Sequence, residues 1–116
     1  MLELTGTQLA ALRQREHADF VERVRVEIVE KFPELAAVED LSARLNAAHD
    51  QALQWGLESG QARTQFLYQE AFAPGFYKAP AIEAWINRPG APAEQRWRDF
   101  MALVQSRLVP HQDGED

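Results

Sequence analysis

Three histidines are the residues of this sequence best suited to acid–base or metal chemistry, and their spacing gives that chemistry little support. His17 and His49 fall in two predicted helices, and neither belongs to a Glu-x-x-His pair of the type that holds di-metal centres in bundles. His49 and Asp50 are direct neighbours, and such neighbours do not face each other on a helix. His111 lies in an acidic stretch at the end of the sequence. We expect His17 and His49 to serve packing or an interface, and the sequence predicts no cofactor and no metal.

The sequence gives equally little support for a cysteine nucleophile, a serine nucleophile or a phosphate-binding loop. The sequence has no cysteine, which excludes thiol catalysis, disulfides and cysteine-rich zinc sites. It has no Gly-x-Ser-x-Gly sequence for a serine nucleophile, and its six glycines are scattered and do not form a phosphate-binding loop. The sequence therefore predicts a protein that is not an enzyme and has no catalytic residues.

The net charge and the hydropathy of the sequence limit the classes of partner that we expect it to bind. The formal net charge is −6, which disfavours nucleic acid, because affinity for a phosphate backbone depends on Lys and Arg. The same balance disfavours a polybasic contact with a membrane surface. The sequence lacks an apolar run of the ~20 residues that a membrane span needs and begins without a signal-peptide pattern, so we expect a cytoplasmic protein.

Hydrophobic periodicity predicts an all-α fold, a compact bundle of about five helices with a long N-terminal helix. We expect a single helical domain over residues 1–110 and a disordered acidic tail over 111–116. The predicted helices cover 6–31, 40–55, 60–72, 80–87 and 92–109.

Four residues mark predicted helix ends. Thr5, with Gln8 three residues later, has the pattern of a capping box. Asp40 and Ser59 are N-cap candidates for the second and third helices. Gly56 follows the second helix at the position where a left-handed C-terminal cap requires glycine.

Glu16 interrupts the apolar row of the first helix, and three explanations are open. It is exposed near the start of the helix, it pairs with an arginine such as Arg13, or it faces a partner. An unpaired carboxylate is costly to bury, so we expect solvent exposure.

Aromatic residues concentrate around the Pro/Gly break after the third helix. Phe76 is expected to fill the bundle where the chain reverses, and Tyr77 is expected to be the exposed anchor, because its ring has a polar tip. Aromatic and arginine side chains are frequent at binding hot spots. The predicted partner-binding residues are Tyr77, Phe76, Trp85, Arg13 and His17.

The sequence resembles a family of small helical bacterial proteins that are encoded beside type VI secretion effectors, their adaptor chaperones and their spike-tip proteins. Together the shared features span most of residues 4–108, and the chain departs from them with Trp55 in place of a frequent tyrosine and Ala73 in place of a frequent glycine. The features are the opening Leu-Thr-x-x-Gln-Leu, Phe20 and Phe32-Pro33, Ala48-x-x-x-Ala52-x-x-Trp55-Gly56-Leu57, Phe66-Leu67, Gly75-Phe76 and Arg96.

The resemblance implies an accessory role, such as a co-chaperone in effector loading, with an effector, an adaptor or a spike-tip protein as partner. It implies no catalytic residues. Two alternatives stay open: an immunity protein that neutralises a cognate toxin, which the acidic charge would suit, and a small-ligand or metal-binding bundle that uses His17 or His49. A homodimer through an exposed apolar stripe is a further expectation.

Overall fold

The five helices predicted from the sequence are present in a computed structural model, which describes residues 6–108, with the side chains of 105–108 left out. All regular structure in this part of the chain is helical. The helices are α1 (Gly6–Lys31), α2 (Leu41–Gln54), α3 (Gly60–Phe72), α4 (Pro80–Ile86) and α5 (Ala93–Leu108).

Two short 3₁₀ helices that the sequence analysis did not predict connect these elements. Pro33–Ala37 follows α1, because Pro33 ends that helix and fixes the backbone for a tight turn. Phe76–Lys78 begins after Gly75, whose φ of 73° lies in the left-handed region that favours glycine. Both connections reverse the chain within a few residues, so neighbouring helices pack together.

The helix ends follow the local signals only in part. Gly56 has a φ of 91°, and Leu57 N–H donates to the carbonyl of Ala52 at 2.9 Å, as in a Schellman cap. The Ser59 hydroxyl accepts from the amide of Ala62 at 3.1 Å and caps α3 as predicted. Asp40 precedes α2, but its side chain makes no capping bond. The predicted Thr5 cap lies outside the described residues, as does the acidic tail.

Helix α1 is much longer than the helices that cover it. It has 26 residues, against 14 in α2 and 13 in α3, so its partners can pack along only about half of its length. Its buried residues are accordingly confined to the C-terminal half: Val21, Val24 and Ile28.

The core lies where α2, α3 and the C-terminal half of α1 meet, and α5 closes it with Trp97. The exposed fractions of Leu45, Phe66 and Trp97 are all 0%. The ring centroids of Phe66 and Trp97 are 5.1 Å apart, so α3 and α5 contact each other through aromatic rings.

Candidate interaction surfaces

The first eleven residues of α1, Gly6–Glu16, extend beyond the bundle, and each of them is exposed. We call them the α1 extension. Leu9 and Leu12 within it are 41% and 43% exposed, although leucine is a residue type usually found in cores. Arg13 is exposed here, and so is Glu16, which confirms the expected solvent exposure of that carboxylate.

An aromatic and cationic cluster lies where α1 joins the bundle. The rings of His17 and His49 meet edge to face with centroids 5.1 Å apart, and the Phe20 ring lies 5.2 Å from that of His49. The Arg63 guanidinium stacks over Phe20 at 4.3 Å. His17 is therefore half-buried against α2, whereas Arg13, the other predicted contact residue on α1, is exposed.

His49 is held as a neutral imidazole. Its Nε2 lies 3.0 Å from Nη1 of Arg63, and since arginine can only donate, Nε2 is the acceptor and the ring proton is on Nδ1. Burial, together with the charges of Arg63 and His17, lowers the pKa of His49 to about 4. A metal ion at Nε2 would have to displace Arg63 and lie beside its positive charge, which disfavours the metal-binding alternative. Within residues 6–108, no three His, Asp or Glu side chains form a cluster that could hold a metal.

Phe76 and Tyr77 both turn inward, and the expectation that Tyr77 is an exposed anchor is wrong. Tyr77 is only 8% exposed, and its ring lies 5.6 Å from that of Phe66. Phe76 is 4.9 Å from the same ring, as expected for the residue that fills the bundle. The 3₁₀ helix after Gly75 explains the difference, because it folds this short segment back over α3. Burial and the nearby Glu70 raise the pKa of Tyr77.

Trp85 stays partly exposed on α4, in contrast to Tyr77. Its indole N–H donates to the carbonyl of Arg96 at 3.0 Å, and the Arg88 guanidinium lies 5.5 Å from the ring centroid. With Ala81 and Ala84, these side chains line a shallow surface groove, which we call the Trp85 platform. The platform combines a tryptophan held in a fixed orientation, a cation and two small residues.

A buried ion pair between α2 and α3 is absent from the sequence predictions. Glu70 is 3% exposed, and its Oε2 accepts from Nε of Arg44 at 2.9 Å. Its second oxygen accepts from the amide of Gly75 at 2.9 Å, which fixes the turn that carries Phe76 and Tyr77. The sequence held a signal: Glu70 shares the buried face of α3 with Phe66 and Ala71.

A second carboxylate joins α5 to the start of α3. Oε2 of Glu94 accepts from the amides of Glu58 at 2.9 Å and of Ser59 at 2.7 Å. These backbone hydrogen bonds, with that from Ser59 the largest cause, lower the pKa of Glu94. The carboxylates of Glu70 and Glu94 thus both accept hydrogen bonds that hold helices and turns together. These contacts assign both residues a structural role.

Comparison with known protein families, curated proteins and solved structures found no match to this chain. No helix within residues 6–108 is long and apolar enough to cross a membrane.

Proposed function

We propose that this chain is a non-enzymatic interaction protein, an accessory or co-chaperone in the loading of type VI secretion effectors. The observation that carries the proposal is the Trp85 platform, a partly exposed tryptophan beside a cation and a shallow groove. Tryptophan and arginine are the side chains most enriched at binding hot spots. The sequence resemblance supplies the biological setting of the proposal.

The platform is suited to binding because its tryptophan is already ordered. The hydrogen bond from Trp85 to the carbonyl of Arg96 fixes the ring, so less side-chain entropy is lost when a partner docks. Ala81 and Ala84 leave room for an apolar side chain of the partner, and Arg88 would attract a neighbouring carboxylate. We expect the effector, adaptor or spike-tip protein to present an apolar side chain with a carboxylate next to it.

Features that carry the resemblance have identifiable roles in the fold. Gly56 and Leu57 complete the cap of α2, and Gly75 begins the reversal that places Phe76 in the core. Arg96 donates from Nη2 to the carbonyl of Pro89 at 2.8 Å and so supports the turn between α4 and α5. These roles support a shared fold with the family, and the platform lies beside that turn.

The test is an affinity pull-down of the tagged protein from its native bacterium, with identification of co-purified proteins by mass spectrometry. We expect an effector, an adaptor or a spike-tip protein in stoichiometric yield. Arg88→Glu should weaken this binding by about 30-fold, the effect of losing a hot spot, without changing the melting temperature, since Arg88 is exposed.

Arg15→Glu is the matched control, because it makes the same charge change at an exposed arginine outside the platform. It should leave partner binding unchanged. An equal loss of binding in both variants, or capture of no secretion component by the unmodified protein, would refute the proposal.

The immunity alternative rests on the net charge of −6, which would steer the chain toward a basic cleft of a toxin. Co-expression with the effector identified by the pull-down separates the two functions. An immunity protein rescues cells from that effector, whereas a co-chaperone changes the amount delivered and gives no protection. We expect no protection.

A further inference from the structure

The α1 extension carries a seam of side chains that runs into the bundle. Leu9, Arg13, Glu16 and Phe20 follow at steps of four, three and four residues, which places them along one side of the helix. This spacing is that of the core positions of a coiled coil. The two inner positions of the seam carry opposite charges. Of the two apolar outer positions, Leu9 is exposed, whereas Phe20 is half-buried with Arg63 over its ring.

We propose that a second copy of this chain binds the seam, with the two α1 helices antiparallel. A two-fold axis between residues 14 and 15 places Arg13 of each copy opposite Glu16 of the other, and Leu9 opposite Phe20. The same surface is then used on both copies, as a two-fold interface requires. The seam is complementary to itself in charge, since Arg13 and Glu16 are both exposed.

The charges of Arg13 and Glu16 also favour an antiparallel over a parallel arrangement of the two α1 helices. Parallel helices would stack each core residue on its own counterpart, so Arg13 would face Arg13 and Glu16 would face Glu16. Like charges in such positions are used in nature to prevent pairing. Only the antiparallel register brings each arginine to a carboxylate.

Pairing within one helix does not satisfy these charges. Arg13 precedes Glu16, which is the less favourable order for an intrahelical pair. Glu22 and Arg25 have the favourable order at the same spacing, and they do form an ion pair. In the described part of the chain, neither Arg13 nor Glu16 forms one.

A second copy would also stabilise the helix itself. Most helical stability in proteins comes from tertiary packing, and the eleven residues Gly6–Glu16 of the α1 extension have no packing from the bundle. The paired segments 8–21 would overlap over about 21 Å. Leu12 flanks the seam and adds apolar area that is 43% exposed in the single chain.

The experiment is sedimentation equilibrium of the full chain from about 5 to 500 µM, because a contact of this length suits micromolar affinity. We expect a monomer–dimer equilibrium. Arg13→Glu and Glu16→Arg should each weaken the dimer by about tenfold, since each replaces two attractions with two repulsions. The double variant should restore the original affinity, because it exchanges the two charges across the same axis.

Arg15→Glu is the control, because it makes the same charge change on the opposite side of the helix. It should leave the dimer intact, and circular dichroism of the dilute monomers should show the same melting temperature in all variants. A chain that stays monomeric at 500 µM would overturn the proposal. So would a dimer that Arg13→Glu and Arg15→Glu weaken equally, or one that the double exchange fails to restore.

Discussion

Both halves of α1 carry large aliphatic side chains, but these are exposed in the N-terminal half, and the buried ones all lie in the C-terminal half. Leu9 and Leu12 are exposed in the α1 extension, whereas Val24 and Ile28, further along the same helix, are 4% and 0% exposed. Backbone structure is equally helical on both sides. The difference therefore arises from tertiary packing, because α2 and α3 are too short to follow α1 over its whole length.

This comparison separates positions that fold the protein from positions available to partners. Substitutions in the C-terminal half of α1 and in its neighbours should change the free energy of unfolding. Substitutions in the α1 extension should leave it unchanged and change association only.

The largest expected contrast is between two glutamates. Glu70→Ala should lower the free energy of unfolding by about 2–4 kcal/mol, because it leaves Arg44 partly buried without its carboxylate and releases the amide of Gly75. Glu16→Ala removes the same side chain from the α1 extension and should cost less than about 0.5 kcal/mol. Urea unfolding monitored by circular dichroism measures both, and equal losses would show that the α1 extension contributes to the folded core.

A smaller effect concerns pH and the junction between the two halves of α1. The pKa of His49 is 6.5 without the fold and about 4 within it, so the imidazole is neutral in the folded protein. A lowered histidine pKa stabilises the fold at pH values above 6.5, and this stability is lost as the pH falls toward 4. Between pH 7.5 and pH 5 the loss from this group should be about 2 kcal/mol.

The control for this pH effect is His49→Gln, in which the dependence between pH 7.5 and 5 should flatten. The range stops at pH 5 because carboxylates with a lowered pKa, such as Glu94, titrate below 4.5 and add a loss of their own. If the free energy of unfolding of His49→Gln falls with pH as steeply as that of the unmodified protein, the neutral His49 beside Arg63 is not the source of the pH dependence.

Local signals made the fold predictable, and distant contacts made the site partly unpredictable. Pro33, Gly56 and Ser59 each act on the adjacent backbone, so the predicted helix bounds lie within one residue of the observed ones in these places. Arg44 and Glu70 are 26 residues apart, and nothing local identifies them as partners. The burial of Tyr77 likewise depends on how the 3₁₀ turn lies against α3, which no local pattern around Tyr77 indicates.

The exposure of the α1 extension, by contrast, was within reach of the sequence. The predicted helices already differed in length, and the short connection over 32–40 requires α2 to turn back along the C-terminal half of α1. A helix of 14 residues that starts there has about half the length of α1, and His49, its ninth residue, meets His17. Comparing helix lengths would have placed Arg13 and Leu9 outside the bundle.

The smallest predicted effect comes from alanine-to-glycine substitutions, and it tests where the α1 extension ends and the folded bundle begins. Ala48→Gly should lower the free energy of unfolding by about 1 kcal/mol or more, because Ala48 is fully buried and glycine is a poor helix former. Ala11→Gly carries the same helical penalty, but Ala11 lies in the α1 extension. That segment can unwind while the bundle stays folded, so the penalty falls on local helix content and leaves the global transition where it was.

Circular dichroism at 222 nm before the urea transition should therefore show a loss of helix in Ala11→Gly, with an unchanged midpoint. The measurement belongs at low protein concentration, where a dimer through the seam is dissociated. At high concentration the midpoint of Ala11→Gly should fall, because a paired α1 extension unfolds together with its partner. A midpoint that falls at every concentration would mean that the extension is already coupled to the bundle within one chain.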